Sequence, residues 1–325
     1  MAELRFVDAL RQALADEMAS DERVVVMGEE VGALGGVFTV TRGLIDEFGP
    51  SRRLDSPLAE ASLAGFAIGA ATEGMRPVVE IMFSDFVMIA MDQIVNHAAK
   101  IRFMSNEQFA VPIVFRLPGG AGTNHGPQHS QSFESWFAHV PGLVVAMPSC
   151  PSDAYWMLRH AIQLDDPVIF FENKGMYFGL AEEIASEPPA DPWSARVVVA
   201  GTDLTIVSAG RMVGRCVEAA QEAAGQGFDC EVIDLRYLWP MDMATVLASV
   251  EKTSRLLVVS EAVEFCGWSG EVVSRVVHEG FQFMDAPIRR IGSKRVPVAV
   301  GQSLEDEVVP TVASIQQIIA DCMSY

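Results

Sequence analysis

Residues Asp55–Gly74 read DSPLAEASLAGFAIGAATEG, and the reading of this stretch decides the fold. After Glu60 come twelve residues without a charge, nearly all small or apolar, before Glu73. That composition predicts a helix starting at Glu60 and buried on most of its sides. The helix nevertheless opens on a carboxylate, and two explanations stand side by side. A negative side chain in the first turn faces the positive end of the helix and its unpaired N–H groups, and Pro57 just upstream suits a helix entry. Alternatively, a carboxyl group beside an apolar helix is there to stay dry and exchange a proton, since buried carboxylates have raised pKa values and cluster at functional sites.

Outward from this stretch, apolar runs alternate with helical ones. RVVVMGEEVG, RPVVEIMF, VPIVFRLPGG, GLVVAMPS and DPVIFFENK read as strands, rich in Val and Ile and bounded by Gly or Pro. Between them lie a long helical pattern over DFVMIAMDQIVNHAAKIRFM, a short one near QSFESWFAH, and SDAYWMLRHAIQ. Near-continuous apolar strands alternating with helices predict an α/β fold with a mainly parallel sheet covered on both faces. From Ala181 to Arg196 the pattern fails: three prolines, several acids and no periodicity mark a linker. The alternation then resumes through DLTIVSAG, FDCEVIDL, RLLVVSEA and APIRRIG, with helices between and after them. Two domains are expected, over 1–185 and 196–325, the second a smaller α/β unit.

The 325 residues suffice for two such domains, and half of them are hydrophobic. The net charge of -20, from 43 acidic against 23 basic residues, disfavours nucleic acid and anionic membrane surfaces as partners. Five scattered cysteines, Cys150, Cys216, Cys230, Cys266 and Cys322, form no CxxC pair and fit a reducing compartment. The N-terminal stretch carries acids throughout, unlike a transit peptide, and no apolar run is long enough to span a bilayer. A soluble, cytoplasmic protein is expected.

Open α/β sheets place ligands at the C-terminal ends of their strands. Three features fall there: Glu60, the FSDF turn with Phe83 and Phe86, and the loop GGAGTNHGPQHSQS with His125 and His129. Phe83 and Phe86 read equally as core residues. The two histidines lie on a polar loop after a buried strand, where catalytic groups are favoured. Dinucleotide, phosphate-loop and nucleophile-elbow motifs are all lacking. An enzyme-like chain without a phosphate- or metal-binding motif suggests half a site, completed by another chain.

The segments GEEVGALGGVFTVTRGL, DSPLAEASLAGFAIGAATEGMRPVVEIMFSDF, MDQIVNHAAKIRFM, QHSQSFESWFAHVPGLVVAMPS and EVIDLRYLWPMD closely resemble one family over nearly the whole chain. It is the β subunit of the thiamine-diphosphate-dependent decarboxylase component of 2-oxo acid dehydrogenase complexes, which act on pyruvate, branched-chain oxo acids or acetoin. The resemblance implies a transketolase-like pyrimidine-binding domain followed by a smaller C-terminal α/β domain. It also implies an α subunit, in an α2β2 assembly, that supplies the GDG segment binding Mg²⁺ and the diphosphate; no GDG occurs here.

By position, Glu60 matches the glutamate that shares a proton with N1′ of the aminopyrimidine, favouring the tautomer that activates the cofactor. Phe86 matches the aromatic residue stacking on that ring. His129 matches the histidine handling protons during substrate reaction and transfer to a lipoyl group. A structural K⁺ held by backbone carbonyls is implied at Ile113, Ala161, Ile162, Leu164 and Asp166, where Leu164 replaces a more usual polar residue. His125 is an added polar group, and GSKRVPVAVGQSLED lacks the family's usual Pro-rich stretch. Both departures bear on substrate and acceptor. The main expectation is delivery to a lipoyl acyltransferase; the alternative is a thiamine-dependent acyloin or ketol transferase delivering to an acyl carrier protein.

Overall fold

The computed structural model describes residues 3–32 and 34–325. The contacts divide the chain into two units: residues up to Gly120 together with Trp136–Pro192, and Ala121–Ser135 together with Trp193–Tyr325. The second unit therefore includes an excursion, 121–135, that a linear division at the linker does not separate out.

In the first unit, α1 (Phe6–Ser20) precedes β2 (Val24–Gly28), which is buried at every position. β3 (Arg53–Asp55), β4 (Arg76–Glu80), β5 (Val114–Gly119), β6 (Val144–Ala146) and β7 (Val168–Asn173) follow. These strands lie in the order β6-β7-β5-β4-β2-β3, every pair parallel. Short β1 (Glu3–Leu4) and β8 (Glu182–Glu183) pair antiparallel apart from that sheet. Between β2 and β3 lies α2 (Leu44–Phe48). α6 (Pro151–Gln163) starts on Pro151, its Asp153 N–H donating to the Cys150 sulfur at 3.4 Å, and buries Tyr155, Leu158 and Ile162. Its polar edge is tied to α1: Tyr155 donates to Asp16 at 2.5 Å and Arg159 pairs with Glu17 at 2.7 Å.

α3 (Glu60–Thr72) buries Leu63, Ala64, Ala67, Ile68 and Ala71. Its other side departs from expectation: Ser62, Gly65, Phe66 and Gly69 are exposed, Phe66 by 62%. An apolar helix with one open face is half-covered by its own chain. The single long helix expected over 85–104 is also replaced. A 3₁₀ stretch, Ser84–Ala90, leads into a π-helical one, Gln93–Ala98, and then α4 (Ala99–Met104). Tight i→i+3 turns followed by wide i→i+5 turns average to nearly the α period, which is why the sequence pattern reads as one helix.

The chain returns from the excursion through α5 (Glu134–Ala138). In the second unit, β9 (Arg196–Val199), β10 (Leu204–Ser208), β11 (Cys230–Asp234), a short β12 (Tyr237–Trp239), β13 (Leu256–Val263) and β14 (Arg289–Ser293) alternate with helices. The sheet runs β14-β13-β10-β11-β9, parallel except for β9 against β11. α7 (Met212–Ala224) and α11 (Val312–Met323) cover one face through Met212, Cys216, Ala219, Ile315 and Ile319. α8 (Met243–Thr253) meets β10 through hydroxyls, Thr205 lying 2.6 Å from Ser249 and 2.7 Å from Thr253. α9 (Ser269–Glu279) and α10 (Gln302–Asp306) complete the unit. No described helix is long and apolar enough to cross a membrane.

Candidate active site

Because β3, β2 and β4 are adjacent and parallel, Gly28 stands in register with both Asp55 and Glu80, and Glu29 leaves the sheet between them. Close approach enforces the glycine: a Cβ on Gly28 would lie 2.9 Å from the Glu80 carbonyl oxygen. The loop then folds back, with Glu30 in the left-handed region and the Gly36 N–H donating to the Glu30 carbonyl at 2.9 Å. A Cβ on Gly36 would come 2.8 Å from Glu80 Oε1, so this loop lies directly against the Glu80 carboxylate.

Glu29 is buried, and among the described residues neither carboxylate oxygen makes a well-formed hydrogen bond. Burial, then the neighbouring Glu60 carboxylate, push its pKa up to about 7; Glu80 adds to this, while the nearby Ala59 N–H pulls the other way. Glu60 is the first residue of α3 and is buried, 7% exposed. The N-cap is Ala59, and Glu60 is the acidic residue of the first turn, at the positive end of the helix.

Glu80 ends a second set of buried charges. Arg116 donates through Nη1 to Glu80 at 2.6 Å and through Nε and Nη2 to Glu172 at 2.7 and 2.6 Å. The Tyr177 hydroxyl donates to Glu172 at 2.5 Å. Burial raises Glu80 and Tyr177 and works against the Arg116 charge, yet the two carboxylates hold Arg116 above its ordinary range. Tyr177 also belongs to an aromatic run, which reaches Phe6 and Phe178 as well. Phe86, half-buried, meets Phe83 edge to face at 6.1 Å, Phe83 meets Phe38 at 5.5 Å, and Phe38 meets Tyr177 at 5.1 Å. Lys174 Nζ sits 5.8 Å over the Phe83 ring and donates to the Gly120 carbonyl at 2.6 Å.

In the first unit Glu29 thus lies near Glu60 and Glu80, while Phe86 joins the rings of Phe83, Phe38 and Tyr177. A buried acid pair, one member with its pKa raised to about 7, fits a group with a protonatable ring nitrogen. An aminopyrimidine has that chemistry. Glu29 and Glu80 were missed from sequence. Each sits at the end of a short apolar strand, a place where the sequence gives no sign of whether the side chain is buried.

His125 and His129 lie in the second unit. His125 is exposed, its Nδ1 2.7 Å from Thr123 Oγ1; His129 is half-buried, its N–H closing a turn on the Gly126 carbonyl at 3.2 Å. Further along, Glu134 is buried and its pKa is pushed up to about 7 by burial, with Glu261 adding to the effect.

The five residues implied for K⁺ gather in the first unit where α6 turns into β7 beside β5. The Ile113 carbonyl accepts the Val168 N–H at 2.9 Å, and the Ala161 carbonyl the Leu164 N–H at 3.4 Å. Arg76 Nη1 bridges the carbonyls of Ile162 and Leu164 at 3.0 and 2.8 Å, and the Asp166 carboxylate pairs with Arg102 at 2.6 Å. The Arg76 guanidinium therefore places positive charge at this turn.

The transketolase pyrimidine-binding domain model matches residues 2–178, and the transketolase C-terminal domain model residues 194–315. Over 317 residues the chain is 43% identical to "Pyruvate dehydrogenase E1 component subunit beta-2, mitochondrial" of Oryza sativa subsp. japonica, covering 96% of this chain and 84% of that protein. It is 40% identical over 321 residues to "Pyruvate dehydrogenase E1 component subunit beta" of Rickettsia felis, covering 98% of each. Among solved structures, a split-gene transketolase described as an inactive beta4 tetramer superposes with a TM-score of 0.81 over 99% of both chains. At 20% identity, that likeness concerns the fold alone.

Proposed function

The chain belongs to the β subunits of the pyruvate dehydrogenase E1 component, a thiamine-dependent 2-oxo acid dehydrogenase, and from that premise we propose that Glu29 and Glu60 form its proton-exchanging pair. The observation that carries this is the buried Glu29 carboxyl, without a well-formed hydrogen bond among the described residues and held at about 7 beside buried Glu60. Thiamine diphosphate, when bound, supplies the electron sink for decarboxylating a 2-oxo acid. Glu60 holds and releases the proton at N1′ of the aminopyrimidine, and Phe86, steadied by Phe83, orients that ring. Glu29, its own pKa raised to about 7 by burial and by the Glu60 carboxylate, can hold a proton beside Glu60 near neutral pH. The apolar surroundings exclude water from that exchange.

An α subunit contributes the diphosphate and Mg²⁺ site in an α2β2 assembly. The lack of a GDG segment supports this, as does the open face of α3 around Phe66. His129 manages protons while the acyl unit passes to a lipoyl group, and the substrate is pyruvate or a similar 2-oxo acid. Widely scattered free cysteines support a reducing, cytoplasmic setting.

The test is co-expression with an α subunit, followed by a screen of 2-oxo acids and acetoin with an artificial electron acceptor. Acylation of a lipoyl domain is then compared with acylation of an acyl carrier protein. His129→Ala should depress lipoyl acylation by ~10²-fold or more while the artificial-acceptor rate falls less, and His125→Ala should do little. Equal losses in both assays would move His129 to an earlier step. Transfer to the carrier protein alone would replace the lipoyl acceptor.

A further inference from the structure

The histidine loop begins one residue beyond Gly120, yet the contacts of 121–135 lie in the second unit, and its backbone is gripped residue by residue. The Ala121 N–H donates to Glu261 Oε1 at 2.7 Å, and the Ala121 carbonyl accepts from Arg211 Nη1 at 3.0 Å. The N–H groups of Gly122 and Asn124 converge on the two oxygens of Glu305, at 2.8 and 2.9 Å. Both residues have positive φ, 103° at Gly122 and 59° at Asn124, which lets alternate N–H groups face one anion. A Cβ on Gly122 would overlap the Arg211 guanidinium, so that group lies flat against the same backbone.

Glu305 is 1% exposed. A buried carboxylate is costly unless its oxygens are satisfied, and here each oxygen takes an N–H of the loop in a charge-assisted hydrogen bond. The hold extends downstream. A Cβ on Gly126 would come 2.8 Å from Val300 Cγ2, and Gly126 is the acceptor for the His129 N–H. At the far end, the Trp268 N–H donates to Ser135 Oγ at 2.9 Å.

We infer that Glu305 is the positioning residue of the histidine loop, with Glu261 and Arg211 fixing its first peptide, so that the C-terminal unit determines where His129 stands. This rests on the reading of His129 as the proton-handling group. The clamp spares the loop the conformational entropy it would otherwise lose each time it orders, and a misplacement of about 1 Å in such a group costs up to ~10²-fold in rate.

The experiment uses the reconstituted α–β complex with Glu305→Ala, Glu305→Gln, His129→Ala and the Glu305→Ala/His129→Ala double variant. Hydrogen exchange on peptides spanning 121–129 reads the clamp, and lipoyl-domain acylation against artificial-acceptor turnover reads its consequence. Glu305→Ala should speed exchange in those peptides and lower acylation roughly 10- to 100-fold, more than it lowers the artificial-acceptor rate, with Glu305→Gln intermediate. Added to His129→Ala, it should cost nothing further. If Glu305→Ala fails to assemble, Glu305→Gln provides the same comparison. Unchanged exchange and acylation in both variants overturn the inference, as does faster exchange with unchanged acylation. Full acylation in His129→Ala refutes the role given to that histidine instead; loop exchange in the Glu305 variants then decides the clamp alone.

Discussion

Glu60 and Glu29 differ by what surrounds them. Glu60 heads a helix, while Glu29 follows a fully buried strand and makes no well-formed hydrogen bond among the described residues. Glu60→Gln keeps the shape but cannot exchange a proton. In the assembled enzyme, hydrogen–deuterium exchange at the cofactor's C2 should slow by ~10²–10⁴-fold with assembly intact; an unchanged rate would leave Glu60 a structural residue. For Glu29 the prediction concerns pH. Its pKa rises from 4.5 to about 7 on folding, so the native state binds the proton more tightly than the unfolded chain across that window. Stability of the isolated chain should therefore fall as pH rises through it, and Glu29→Gln should remove that part of the fall. Urea titrations at about pH 5 and about pH 8 measure this, and parallel profiles for the two proteins would contradict it. Glu60 was legible because a lone carboxylate opens a long uncharged run. Glu29 and Glu80 were not, because a strand's end residue looks the same in sequence whether it faces solvent or, as here, packs under a loop that folds back over it.

Among the elements, β4, β5 and β7 are joined by Arg116 as well as by their ladders. Two buried carboxylates and a tyrosine depend on that guanidinium. Arg116→Met should destabilise the chain by about 3–5 kcal/mol, because Glu80 and Glu172 would remain buried without a cation. Adding Glu80→Gln and Glu172→Gln should recover much of the loss in chemical denaturation; no recovery would mean that the arginine acts through packing. The strands and most helices were readable from apolar runs and Gly or Pro boundaries, since burial on both faces leaves a continuous apolar signature. The 84–104 region was not, because two deviations from the α period cancel in the pattern. Phe86 stands on the tight part of that region, so the irregular winding rather than a regular helix sets its place.

At the scale of the whole molecule, the chain carries the pyrimidine side of a site and lacks a diphosphate motif. Purified alone it should bind thiamine diphosphate weakly or not at all, and with the α subunit tightly in the presence of Mg²⁺. Calorimetry showing tight, Mg²⁺-dependent binding by this chain alone would refute the shared site. The two-domain plan was visible in the proline-rich linker. The membership of 121–135 was not, because Glu261 and Glu305 are some 140 to 180 residues away from the amides they hold.

That membership bears on how such chains can be recombined. A chimera joined at the linker would take its histidine loop from one parent and the carboxylates that grip it from the other. Grafts between relatives should therefore work better when residues 121–135 travel with the C-terminal half than when the junction follows the order of the gene. The heritable module is then a set of contacts, and its borders cross the reading frame twice before the linker is reached.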